Sequence, residues 1–105
     1  MDRPFTMIDS VEDSVARLVI AGDVDLAVLS PIREAVTRCL ADEACTALTM
    51  DLSGVTFIDS SGLGVLVASR REAREAAKRF QVTGATGRTA DIIEATGLTE
   101  YLTGS

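Results

Sequence analysis

Ala47-Leu-Thr-Met-Asp-Leu-Ser-Gly-Val-Thr-Phe-Ile-Asp-Ser-Ser-Gly-Leu-Gly64 changes character within one stretch of chain. Residues 47–52 put apolar Leu48, Met50 and Leu52 around polar Thr49 and Asp51, a strand pattern that runs into a Ser53-Gly54 turn. From Ser60 the period is helical: Leu63, Leu66, Val67, Ala73, Ala76, Ala77 and, at the exit, Phe80. A helix is therefore expected over residues 60–78. A strand delivered into a helix by a polar, glycine-rich loop is the repeating unit of an α/β fold.

Upstream, residues 5–11 and 15–21 read as strands, joined by a hairpin turn at Glu12-Asp13-Ser14 and followed by a turn at Gly22. Ser30-Pro31 looks like a helix cap with proline at the first helical position. Ile32, Ala35, Val36, Cys39 and Leu40 then recur at helical spacing. Whether residues 26–29 add an earlier turn to that helix stays open, because Pro31 would break its hydrogen-bond ladder. Downstream, residues 81–84 form a short strand and 89–95 a short helix closed by Gly97, with 98–102 as a final edge strand. The order β-β-α-β-α-β-α-(β) predicts a single α/β domain over residues 1–105. Its mixed sheet has an opening hairpin, then β-α-β crossovers with helices packed on it. Ligand-facing loops of such sheets lie beyond the carboxyl ends of the parallel strands. Here they are Gly22-Asp23-Val24-Asp25, Ile58-Asp59-Ser60-Ser61-Gly62 and Gly84-Ala85-Thr86-Gly87, expected to converge on one side.

Composition narrows the function. The 105 residues are 47% hydrophobic and 25% charged, enough for a real core. A net charge of −6 opposes nucleic-acid backbones, so no nucleic-acid partner is expected. Histidine is absent, which removes Ser-His-Asp and Cys-His catalysis, imidazole zinc sites and the usual general base. No acid–base pair replaces it, and an enzyme is not expected. Cys39 and Cys45 form neither a disulfide framework nor a metal knuckle and read as small buried side chains in a reducing compartment. Met1-Asp2-Arg3-Pro4 opens no leader, and no apolar run reaches the roughly 18 residues of a membrane span. A cytoplasmic protein without direct membrane contact is the expectation.

The loop chemistry points to an anion or a partner and away from a cofactor. Asp59 or Ser60 caps the second helix, whose free amides and positive dipole end can seat a phosphate carried by a serine. A plain cap accounts for the same residues. Gly62-Leu63-Gly64 is no dinucleotide fingerprint, since Val67 stands where the third glycine belongs. The Gly84–Thr89 run is too short for a phosphate loop and has arginine in place of its lysine. Asp23-Val24-Asp25 lacks a third calcium ligand, with Ala27 in that place, and turn chemistry explains it. No cofactor and no metal are expected. Arg70, Arg71, Arg74, Lys78 and Arg79 read as a solvated helix face, with Glu75 and Arg79 as an i,i+4 pair. Between Arg38 and Arg70 every charged residue is acidic, so a basic partner patch would complement the serine loop.

The Asp51–Gly64 run resembles the signature of STAS-domain anti-sigma-factor antagonists. Gly22-Asp-Val-Asp25 is similar to that family's Gly-Glu-Leu-Asp turn, and Ala95-Thr-Gly-Leu98 to its late Thr/Ser-Gly-Leu step. The resemblance implies a regulator that binds an anti-sigma factor, itself a serine kinase, and so frees a sigma factor. It implies phosphorylation at Ser60, with Ser61 the second choice, and a phosphoserine phosphatase that restores binding. The partner surface is expected to include Asp23, Asp25, Asp59, Ser60, Ser61, Gly62 and Leu63. The alternative is a STAS scaffold module of a larger signalling or transport assembly, without a phosphorylation switch.

Overall fold

The structure is a computed structural model and describes residues 4–98. The chain first reverses at Asp13 and Ser14, whose φ angles are both positive, 52° and 67°. Two such central residues make the turn whose twist suits a hairpin. It joins β1 (Thr6–Glu12) to β2 (Val15–Val24) in antiparallel register, with Glu12 opposite Val15 and Thr6 opposite Ala21. A 3-10 turn (Leu26–Val28) and α1 (Leu29–Ala41) lead to β3 (Ala47–Ile58), parallel to β2. Next come α2 (Ser60–Glu75), β4 (Arg79–Thr83) parallel to β3, and α3 (Gly87–Ala95). The four strands lie in the order β1-β2-β3-β4.

Both crossovers step the same way across the sheet, so their shared right-handedness puts α1 and α2 on one face, where they pack together. The core fills the space between. Leu18, Ile20, Leu48, Met50, Leu52 and Phe80 point up from the strands, and Ile32, Val36, Leu63 and Leu66 point down from the helices. Both cysteines are free and buried. The other face of the sheet carries an ion pair between Arg17 and Asp51. The mixed α/β architecture is as the sequence predicts.

Several boundaries differ, each for a local reason. Gly22 is not a turn, because β2 continues to Val24 and Gly22 sits at a register shift with φ of 89°. Ser53-Gly54 is not a turn either. β3 runs through it as one strand of 12 residues, with the Asp51 side chain accepting the Ser53 amide at 2.9 Å where the register slips against β2. Ser30 is no cap: α1 begins one residue earlier, and the preceding 3-10 turn is capped by Asp25, which accepts the Ala27 N–H at 3.0 Å. Pro31 is tolerated because amides in the first helical turn have no intrahelical acceptor. β4 is shifted two residues towards the N-terminus at its start, and α3 begins at Gly87. The expected strand at 98–102 falls largely outside the described residues, and Leu98 itself is not in a strand.

The second helix ends at Glu75, so Ala76 and Ala77 are exposed and Glu75 and Arg79 are not helical neighbours. Lys78 is no part of a solvated basic face, because its ammonium donates to the Leu40 and Asp42 carbonyls, both at 2.7 Å, at the end of α1. The stop itself is a Schellman turn. The Lys78 amide donates to the Ala73 carbonyl at 2.9 Å and Ala77 to Arg74 at 3.0 Å, with Ala77 at φ of 58°. α3 ends the same way on Gly97 at φ of 75°. Alanine in the left-handed region costs about 1–2 kcal/mol, and glycine costs about 0.4–1 kcal/mol through the unfolded chain. Ala77→Gly is therefore expected to stabilise the domain by about 0.5–1 kcal/mol, raising Tm a few degrees in a thermal melt.

Candidate functional site

Where β2 and β3 end, two segments distant in sequence are tied together. The Asp59 amide donates to the Val24 carbonyl at 3.2 Å, and Thr56 Oγ1 donates to Asp23 at 2.8 Å. Asp25 closes the adjoining 3-10 turn. The expected partner segments Gly22–Asp25 and Asp59–Leu63 therefore form one surface. The third loop starts lower on the sheet, and the helix after it reaches back to β3, where Thr89 donates to the Val55 carbonyl at 3.3 Å. β4 stops at Thr83 opposite Asp51, and Gly84 packs beside Asp51 and Ser53, well short of the end of β3 at Ile58.

Asp59, and not Ser60, is the cap of α2. Its backbone is extended, and its carboxylate accepts the Gly62 amide at 2.9 Å and the Ser61 hydroxyl. The Ser61 hydroxyl, then the Gly62 amide, hold the Asp59 carboxyl below the ordinary aspartate range. Ser60 is the first helical residue, exposed, at the positive end of the helix. The two serines thus differ physically: Ser61 is committed to the cap, while Ser60 faces solvent.

Gly62 and Leu63 are both buried, so they support the surface from below. A Cβ on Gly62 would lie 2.6 Å from Ile58 Cγ1 and 3.0 Å from Val24 Cγ1, so the missing side chain lets α2 settle onto the strand ends. Both residues, expected in the partner surface, are thus buried at its base. Two exposed apolar residues that the sequence reading does not name adjoin these segments. Leu26 is 75% exposed and Phe57 37%, flanking the acidic residues. Phe57 becomes legible only once β3 is continued through Gly54 to Ile58.

Asp51 lies one register shift below this surface and was also missed as an ion-pair partner. Ser53, through its amide and hydroxyl, and then Arg17 hold its carboxyl below the usual range. A carboxyl depressed in the folded state contributes stability that is complete above the unfolded pKa of about 3.9 and drains away as pH falls through the folded value. Asp51→Asn is therefore expected to flatten the acid side of a Tm-against-pH curve, with the parent losing its advantage only below about pH 4. Among the described residues no group of acidic or cysteine side chains could hold a metal ion, and no helix is long and apolar enough to cross a membrane.

Comparison with known proteins fits this geometry. The family described as Mlab, STAS domain, matches residues 8–104. The anti-sigma-F factor antagonist RsfB of Mycobacterium tuberculosis is 36% identical over 80 residues, covering 74% of this chain and 65% of RsfB. An anti-sigma factor antagonist from Mycobacterium paratuberculosis superposes with a TM-score of 0.83 at 26% identity, over 94% of this chain and 83% of that one. SpoIIAA in its unphosphorylated form shares the fold, with a TM-score of 0.78 at 20% identity over 94% and 85% of the two chains. With the sheet order, the capped serine loop and a family match over nearly its whole length, the chain belongs to the STAS domain family.

Proposed function

We propose that this chain is an anti-sigma-factor antagonist whose unmodified form binds an anti-sigma factor with serine kinase activity and so frees a sigma factor. Phosphorylation of Ser60 blocks that binding, and a phosphoserine phosphatase restores it. The observation that carries the reading is the exposed Ser60 hydroxyl at the start of α2, beside a Ser61 hydroxyl already bonded to Asp59. The names of the similar proteins support the same reading. Asp23, Asp25, Asp59, Ser60 and Ser61, with Leu26 and Phe57, form the contact surface, and Gly62 and Leu63 position it from beneath. Exposed Leu26 and Phe57 beside these carboxylates suit a partner that offers both apolar and basic contacts. No part of this mechanism requires catalysis by the chain itself.

The test starts with an anti-sigma kinase captured on the unmodified chain. Incubated with that kinase and ATP, Ser60→Ala is expected to stay folded, bind, and show no added phosphate by mass spectrometry. Full modification of that variant would move the site to Ser61.

A further inference from the structure

Among the described residues β1 is an outer strand of the sheet and pairs with β2 alone. Its far edge presents backbone donors and acceptors with no neighbouring strand among the described residues. Proteins ordinarily blunt such an edge with lysine, proline or an unpaired charge. From Thr6 to Glu12 there is neither lysine nor proline, and the inner charge, Asp9, is neutralised by Arg38 of α1. Ile8 is 67% exposed and Val11 58%. We propose that this edge pairs with the β1 edge of a second copy, antiparallel, about a two-fold axis at Ile8. The proposal does not depend on the Ser60 switch.

The register follows from the residues. A two-fold axis normal to the sheet keeps each side chain on its own face, so a residue must stand opposite itself. Centring on Asp9 would oppose two carboxylates, and centring on Ser10 would set Ile8 against Glu12. Centring on Ile8 pairs Ile8 with Ile8, Thr6 with Ser10, Phe5 with Val11 of the second copy, and Met7 with Asp9, whose carboxylate, unlike that of Glu12, is held by Arg38 of its own copy. The isoleucines meet on the face of the Arg17–Asp51 pair, because Ile8 stands opposite Val19, which shares a face with Arg17. Phe5 and Val11 meet on the helix side, where Val11 stands opposite Ala16. One strand pair of 7 residues buries less than the roughly 1,200 Å² of a standard interface, so the dimer is weak and needs concentrated protein. A charge of −6 per copy opposes it, and added salt strengthens it.

Cysteine placement tests the register. Directly opposed strand residues hold their Cβ atoms about 4.5–5.5 Å apart, close enough to bridge, whereas in this register the two copies of position 10 are separated by roughly 13 Å. Under mild oxidation of concentrated protein, Ile8→Cys is expected to cross-link at least about 10-fold faster than Ser10→Cys, on that difference in reach. The parent chain, with both cysteines buried, serves as blank. Ile8→Lys is expected to melt with the parent and sediment as a monomer where the parent's average mass rises towards a dimer. Equal cross-linking at the two positions, a parent monomeric at every concentration and salt, or species larger than a dimer would overturn the proposal.

Discussion

Phosphorylated at Ser60, the chain is expected to bind its anti-sigma partner at least about 100-fold more weakly than the unmodified form, with its Tm within a few degrees. The two halves of that expectation have separate causes. Within the domain, the phosphate adds about −1.5 to −2 charges at a helix N-terminus, where dipole and free amides favour an anion. On the proposed contact surface the same group would share its face with Asp23, Asp25 and Asp59, and docking there would bury it without a matching cation. An unmatched charge buried this way costs about 3 kcal/mol or more, which is over two decades in affinity. Ser60→Asp should fall between the two forms, since it carries one charge, fewer oxygens and a shorter reach. Calorimetric titration of unmodified, Asp and phosphorylated forms against the isolated partner measures all three. Equal affinities would sink the switch and leave a scaffold role.

Gly22→Ala is expected to cost about 3 kcal/mol of stability, with Gly64→Ala neutral or slightly stabilising. Gly22 has φ of 89°, and a Cβ there would overlap the Pro4 carbonyl and press on Phe5, backbone that cannot rotate aside. Strain in φ accounts for about 1–2 kcal/mol and the overlap for a similar amount. At Gly64 nothing lies within 4 Å of a built Cβ, and alanine is the better helix former by about 1 kcal/mol. Urea unfolding of the pair checks the contrast, and equal midpoints would show that β1 yields freely at its start.

These glycines also show what the sequence discloses and what it hides. Alternation in β2 and the helical stripes of α1 and α2 are local patterns, so element order and the helix-covered face could be read directly. Gly22 and Ser53-Gly54 carry the composition of turns, but the neighbouring strand supplies hydrogen bonds on both sides of each irregularity and keeps the strands continuous. No local rule contains that neighbour. The same holds at the site. Asp59, Ser60 and Ser61 stood out, but only hydrogen-bond geometry separates the capping serine from the free one. Leu63 had the right spacing for a helix stripe, and that spacing is what buries it. Arg17 gave no signal, because its pairing with Asp51 spans 34 residues of chain.

The tie between Thr56 and Asp23, 33 residues apart, bears on how the molecule comes into being. Helices and the β1–β2 hairpin close over short stretches, within microseconds in isolated peptides, whereas long-range parallel pairing must first close a large loop and sets the slower pace of folding. A chain still emerging from the ribosome with Ser60 exposed but the β2–β3 seam unzipped has the serine without the surface around it. Both halves of the proposed contact surface arrive with the same closure, so a half-made chain would present neither of them in place.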